Sequence, residues 1–214
     1  MKRFWAVVGL VASFASAFAA LPGTVYRNDF EKAEIGKVPE DFLVLDGGFA
    51  VQQEGGNKFL ELPGAPLDTF GLLFGPTETN NLSASARIFG TAKGRRFPAF
   101  ALGVNGMGGL RLQVSAAKKL VELYRGEEVV ATAPYTWESG SWTMLRLDLR
   151  KIKDGEFKVQ GKVWKQDVKE PQGWTIDYTL MGDVPARRAA IWGNPFSGTP
   201  IRFDDLTVSS LADK

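Results

Sequence analysis

Near the C-terminus, "PIRFDDLTVSS" places Ile201 and Phe203 on one parity and Leu206 and Val208 on the other. A β-strand sends successive side chains to opposite faces, so both apolar pairs point inward only if one extra residue is inserted between them. The adjacent carboxylates Asp204 and Asp205 sit at that slip. Near the N-terminus, Asp29 and Glu31 share a parity opposite Tyr26, Asn28 and Phe30. These four acids stand out because so little else reactive is available. The chain has no Cys and no His, which excludes a Ser-His-Asp triad, a Cys-His pair and an ordinary zinc site. Carboxylate chemistry, Ser-Lys chemistry, calcium binding or pure recognition remain.

Two phosphate- and acid-type motifs are weak. "GVNGMGG" (Gly103 to Gly109) joins two strand-like runs with no helix after it, so it reads as a glycine-rich hairpin loop rather than a nucleotide cradle. Glycoside hydrolysis needs two carboxylates facing each other across a sugar. Glu122 and the Glu127-Glu128 pair flank a turn and read as ordinary exposed residues.

Recognition of a sugar asks for something different: aromatic rings under the apolar C–H faces and planar polar groups for the hydroxyls. The polar parity of the central runs carries Ser83, Ser85, Arg87, Arg111, Gln113, Glu122 and Tyr124. Ala99, Ala101 and Gly103 share a parity opposite Phe100, Leu102 and Val104, which leaves a trough of small residues. Trp192 and Asn194 lie opposite Ile191, and Phe196 follows in a loop. Arg87, Arg111, Gln113, Trp192, Asn194 and Phe196 are therefore the expected ligand-binding residues, with Trp192 as a stacking wall. The competing reading is that every amphipathic strand has a polar face and that Trp is often a packing residue. Trp142 and Trp174 are assigned to packing, since Trp174 shares its parity with Ile176, Tyr178 and Leu180.

The elements that must carry these residues are strands. Leu82, Ala84, Ala86 and Ile88 alternate with Ser83, Ser85 and Arg87; Leu110, Leu112 and Val114 alternate with Arg111 and Gln113; Leu145, Leu147 and Leu149 alternate with Arg146 and Asp148. Gly, Asn and Pro clusters punctuate the runs, and the spacing predicts roughly a dozen short strands in a sandwich. Ala116 to Tyr124 is the one stretch with helical propensity, but Gly126 closes it quickly. A hairpin turning at 116–118 is expected there.

Met1-Lys2-Arg3, the uncharged apolar run Phe4 to Ala20 and the Ala17-Phe18-Ala19 site read as a signal peptide over residues 1–19. An uncleaved anchor is the alternative. The mature chain, residues 20–214, is expected to be one secreted or periplasmic β domain with no further membrane span. The 26 Lys and Arg include Lys2 and Arg3, leaving 24 basic residues against 24 acidic ones. The formal charge is then zero, so no basic surface field needs explaining, and nucleic acid is not expected as a partner. With no disulfide, an exported fold of this size relies on core burial or a metal.

The opening "YRNDFEKAEIGKVPEDF", the middle "GSWTMLRLDLRK" and the closing "IWGNPFSGTPIRFDDLTV" resemble a concanavalin A-like lectin/glucanase domain of the LamG-like jelly-roll type, over essentially the whole mature chain. The resemblance implies an all-β jelly-roll sandwich of two antiparallel sheets with the first and last strands side by side. That pairing would converge Asp29, Glu31, Asp204 and Asp205 on a hard-oxygen site, suited to a structural Ca2+ ion. The competing reading is a plain bulge capped by aspartates beside a basic residue. The resemblance also implies sugar binding on the concave sheet or at the loops along its rim; if runs 82–89, 97–104, 109–115 and 119–125 are neighbours there, Arg87, Arg111 and Gln113 converge beside the small-residue trough. Jelly-roll glucanases place catalytic acids in a Glu-x-Asp run, and no Glu here is followed two residues later by Asp. A non-catalytic, lectin-like glycan-binding domain is therefore the expected function. The alternatives are a glycosidase with an unfamiliar carboxylate pair and an envelope jelly roll that binds another protein.

Overall fold

The structure, a computed structural model, describes residues 23–65, 68–78 and 80–212. The segment read as a signal peptide, residues 1–19, lies outside the described residues. Alternating sequence becomes strand almost throughout. The first strands are β1 (Thr24–Asn28), β2 (Leu43–Asp46), β3 (Ala50–Glu54), β4 (Asn57–Leu62) and β5 (Phe70–Glu78). The middle of the chain forms β6 (Leu82–Phe89), β7 (Ala99–Val104), β8 (Leu110–Ser115), β9 (Leu120–Arg125) and β10 (Glu128–Pro134). The last third forms β11 (Trp142–Lys153), β12 (Glu156–Lys165), β13 (Ile176–Met181), β14 (Arg187–Asn194) and β15 (Ile201–Ser210). Among the described residues the only helical element is a 3-10 turn at Ala116–Lys118. Lys119 leaves it in the left-handed region, with φ 58°, and the chain reverses directly into β9. The expected hairpin forms at that position.

The strands make two antiparallel sheets. Sheet A runs β13-β12-β11-β6-β15-β4-β3, with β1 also paired to β15. Sheet B runs β10-β9-β8-β7-β14-β5-β2. Their apolar parities face each other: Leu82, Ala84, Ala86 and Ile88 of sheet A are in one buried cluster with Phe100, Leu102, Val104, Leu112 and Ile191 of sheet B. This is a jelly-roll sandwich with its first and last strands side by side, as the sequence implies. No helix among the described residues is long and apolar enough to cross a membrane.

The parity slip in the last strand is a β-bulge. Asp204 pairs with Arg87 and Thr207 with Ser85, so three steps on β15 oppose two on β6. The inserted residue allows Ile201, Phe203, Leu206 and Val208 all to be buried. Asp205 takes a positive φ of 49° there, and its N–H donates to its neighbour's Asp204 Oδ1 at 2.7 Å. The bulge also marks a change of neighbour, because β15 pairs with β4 before it and with β1 after it.

One expected arrangement is corrected. β6 belongs to sheet A, and β7, β8 and β9 belong to sheet B. The chain crosses between the sheets after β6, so the run 82–89 is not a neighbour of the other three, and Arg87 faces away from Arg111 and Gln113.

Candidate functional site

β1 ends at Asn28, so Asp29 and Glu31 lie in the turn that follows and not on the strand. Glu31 accepts the Lys58 backbone N–H at 3.0 Å, and Asp29 lies 3.8 Å from Arg27. Asp204 is fully buried and meets the Arg87 guanidinium at 2.6 Å, while Arg87 Nε approaches Asp205 at 2.9 Å. Asn57 Nδ2 donates to Asp204 Oδ2 at 2.9 Å. Burial pushes the Asp204 carboxyl up to about 6, against the pull of the Arg87 charge and the Asn57 hydrogen bond. The cation beside the bulge carboxylates is thus a guanidinium placed by direct cross-strand register. Among the described residues no group of three or more His, Cys, Asp or Glu stands together as a metal site. The geometry matches the capped-bulge reading, and it does not bring Asp29, Glu31, Asp204 and Asp205 together as one group.

The other expected residues do gather, apart from Arg87. Antiparallel register aligns three outward rows across sheet B. The first is Tyr124, Arg111, Gly103, Ala190 and Leu73. The second is Glu122, Gln113, Ala101, Trp192 and Gly71, and the third is Leu120, Ser115, Ala99 and Asn194. A cleft of about 480 Å³ opens over these rows, lined by Arg111, Gln113, Tyr124, Trp192, Asn194 and Phe196 among others. Five of the six expected ligand residues line one cleft, and Arg87 lies on the opposite sheet in its ion pair.

The small-residue trough is real but already occupied. A Cβ at Gly103 would lie 2.5 Å from the Trp192 ring, so the missing side chain lets the indole lie flat across β7. Met107 comes from the glycine-rich loop and covers Gly71 in the same manner, where a Cβ would lie 2.4 Å from its methyl. Ala101, Ala190, Leu73 and Met107 enclose the indole, leaving it 2% exposed. Trp192 therefore forms the packed floor of the cleft and is not the exposed stacking wall expected. The ring left open at the rim is Phe196, 40% exposed. Asn194 donates from Nδ2 to Thr69 Oγ1 at the opposite end.

Arg111 occupies the centre. Its guanidinium carbon lies 4.2 Å from the Tyr124 ring centroid and 5.6 Å from that of Trp192, so rings hold it on two sides. Its Nε is buried without a hydrogen-bond partner. Beside it, Glu122 is buried, contrary to its reading as a surface residue. Its carboxylate accepts from Ser115 Oγ, from Lys118 Nζ at 2.9 Å and from Tyr124 Oη at 3.2 Å. Burial alone would push the Glu122 carboxyl up, but the donors of Ser115, Lys118 and Tyr124 outweigh it and hold the group below the usual carboxylate range. Burial and the Glu122 charge push the Tyr124 phenol up. Gln113 Nε2 donates to Ser115 Oγ at 2.9 Å, extending the network along the second row. Glu122, Tyr124, Met107 and Thr69 complete the site. The polar parity of β9 signals Glu122 and Tyr124, whereas Met107 and Thr69 arrive from loops with no local sequence signal.

No family model matches the sequence, and no curated protein does. Solved structures of similar fold include the carbohydrate-binding module CBM66 from Bacillus subtilis, at 15% identity and TM-score 0.52, covering 79% of this chain and 96% of that one. The Emp46p carbohydrate recognition domain is similar at 13% identity and TM-score 0.56, covering 81% and 89%. The PL-14 alginate lyase from Aplysia kurodai is similar at 11% identity and TM-score 0.56, covering 87% and 99%. These neighbours, binding modules and an enzyme alike, are jelly rolls of one kind, and this chain has the concanavalin A-like jelly-roll fold.

Proposed function

We propose that the protein is an exported, non-catalytic glycan-binding domain whose ligand lies in the sheet B cleft. The observation that carries this reading is Arg111, held between two aromatic rings in an open cleft with donor capacity unused. Around it stand the groups a sugar needs: the exposed Phe196 ring, the half-buried Tyr124, and the amides of Gln113 and Asn194. Sugar-binding modules and recognition domains among the structural neighbours favour the same reading, and the N-terminal signal-like segment favours export. The Glu122 carboxylate beside the cleft does not suit the general-acid role of a glycosidase. A glycosidase acid needs a raised carboxyl pKa, and Glu122 is pushed the other way.

A glycan array followed by titration calorimetry tests the proposal. The wild-type protein is expected to bind a glycan. Phe196→Ala is expected to weaken binding by about 1 kcal/mol, roughly fivefold, through loss of a rim ring. Absence of any glycan ligand, or binding indifferent to both Phe196→Ala and Arg111→Met, would remove the cleft as the site.

A further inference from the structure

Among the described residues four arginines lie over aromatic rings, and they divide sharply. Arg87 lies 4.7 Å from the Trp142 centroid and pairs with Asp204 and Asp205. Arg146 lies 5.5 Å from the Trp174 centroid and pairs with Asp148 and Glu170. Arg202 lies 4.5 Å from the Phe59 centroid and pairs with Glu61 and Glu54. Arg111 has the closest ring, at 4.2 Å, and a second one, yet makes no ion pair with any described carboxylate. Glu122, one row along sheet B from Arg111, is already engaged by Ser115, Lys118 and Tyr124.

We infer that the ligand of this cleft carries an anionic substituent, a sugar carboxylate or sulfate, that completes at Arg111 the arginine–ring–carboxylate arrangement found three times elsewhere in the molecule. This rests on the glycan-binding reading and narrows it to acidic sugars. A buried polar group without a partner is costly, and its partner is supplied by whatever fills the site. Guanidinium matches carboxylate and sulfate oxygens with paired donors, and fixing it between rings beforehand lowers the entropy lost on binding. With basic and acidic residues balanced outside the N-terminal segment, recognition is local and not driven by a long-range field. Glu127 on the cleft lining sets the boundary of the anionic subsite, because a like charge there repels the same group.

The test is titration of the purified protein with alginate, polygalacturonate and hyaluronan oligosaccharides, each beside its carboxyl-reduced form. A sulfated galactan beside its desulfated form is the second arm. At least one acidic member is expected to bind roughly tenfold to a hundredfold tighter than its neutral twin. Added salt should erode that preference, Arg111→Met should erase it, and Glu127→Gln should increase it. Preference for the uronates assigns a carboxylate, and preference for the galactan assigns a sulfate. Equal binding of charged and neutral twins, or a preference that survives Arg111→Met, overturns the anionic assignment while leaving glycan binding in place. Binding of none of these members, on a protein shown to be folded, overturns the inference; only a further failure across a full glycan array removes the glycan reading beneath it.

Discussion

The outer faces of the two sheets use the same side chains for opposite ends. On sheet A, Arg87, Arg146 and Arg202 each lie over an aromatic ring and each has carboxylate partners on its own strand, a neighbouring strand or a loop. The Arg87 and Arg146 clusters are closed: Asp204 and Asp148 are buried, and Lys162 Nζ joins Glu170 at 2.9 Å beneath Trp174. On sheet B, Arg111 has the rings and no carboxylate, and the surface above it is open. A satisfied arginine–ring cluster holds a sheet together. The same cluster with one component missing is what the proposed acidic ligand would complete.

The largest effect expected from this contrast is on stability. Arg87→Met leaves Asp204 buried without its countercharge, which is expected to cost about 3–5 kcal/mol in chemical denaturation, the range for breaking one side of a buried pair. The same substitution at Arg111 strands no carboxylate and is expected to cost about 1 kcal/mol or less, the worth of a cation–π contact near the surface. Equal losses at the two positions would erase the distinction between a closed cluster and an open one.

A smaller effect appears with pH. Asp204 is pushed up to about 6 in the folded protein from the ordinary value of 3.8. Folding therefore favours the protonated form, and the stability gained is present in full below about 4 and lost as pH rises through 6. The unfolding free energy of the wild type relative to Asp204→Asn is expected to fall by about 1–3 kcal/mol between pH 4 and pH 7. Parallel pH profiles for the two proteins would mean that Arg87 fully offsets the burial of this carboxylate.

Sequence periodicity captured the strands, the 116–118 hairpin and the bulge, because each is set by parity or by one local turn. It could not place β6. The alternation of Leu82, Ala84, Ala86 and Ile88 reads the same in either sheet, and only the crossover after Phe89 decides which sheet is joined. Parity therefore groups Arg87 with Arg111, although its register partner is Asp204. The grouping of the four acids is hidden for the same reason: the sequence shows the acids but not the guanidinium set between Asp204 and Asp205. Parity sets Trp192 among the residues that line the cleft but does not give its exposure. Its burial depends on Gly103 and Gly71 lying beside it on strands distant in sequence, and on Met107 folding over from a loop. Arg111, Gln113, Asn194 and Phe196 were legible because parity and the end of β14 suffice to bring them to one face.

The choice between the two faces can be read directly from side-chain N–H signals in a 15N-labelled sample titrated with the tightest-binding oligosaccharide. The Arg111 Nε–H and the Trp192 indole N–H are expected to shift saturably, while the Trp142 and Trp174 indoles stay in place. Shifts confined to Trp142 or Trp174, with Arg111 and Trp192 unmoved, would put the ligand on sheet A and contradict the sheet B cleft as the binding site.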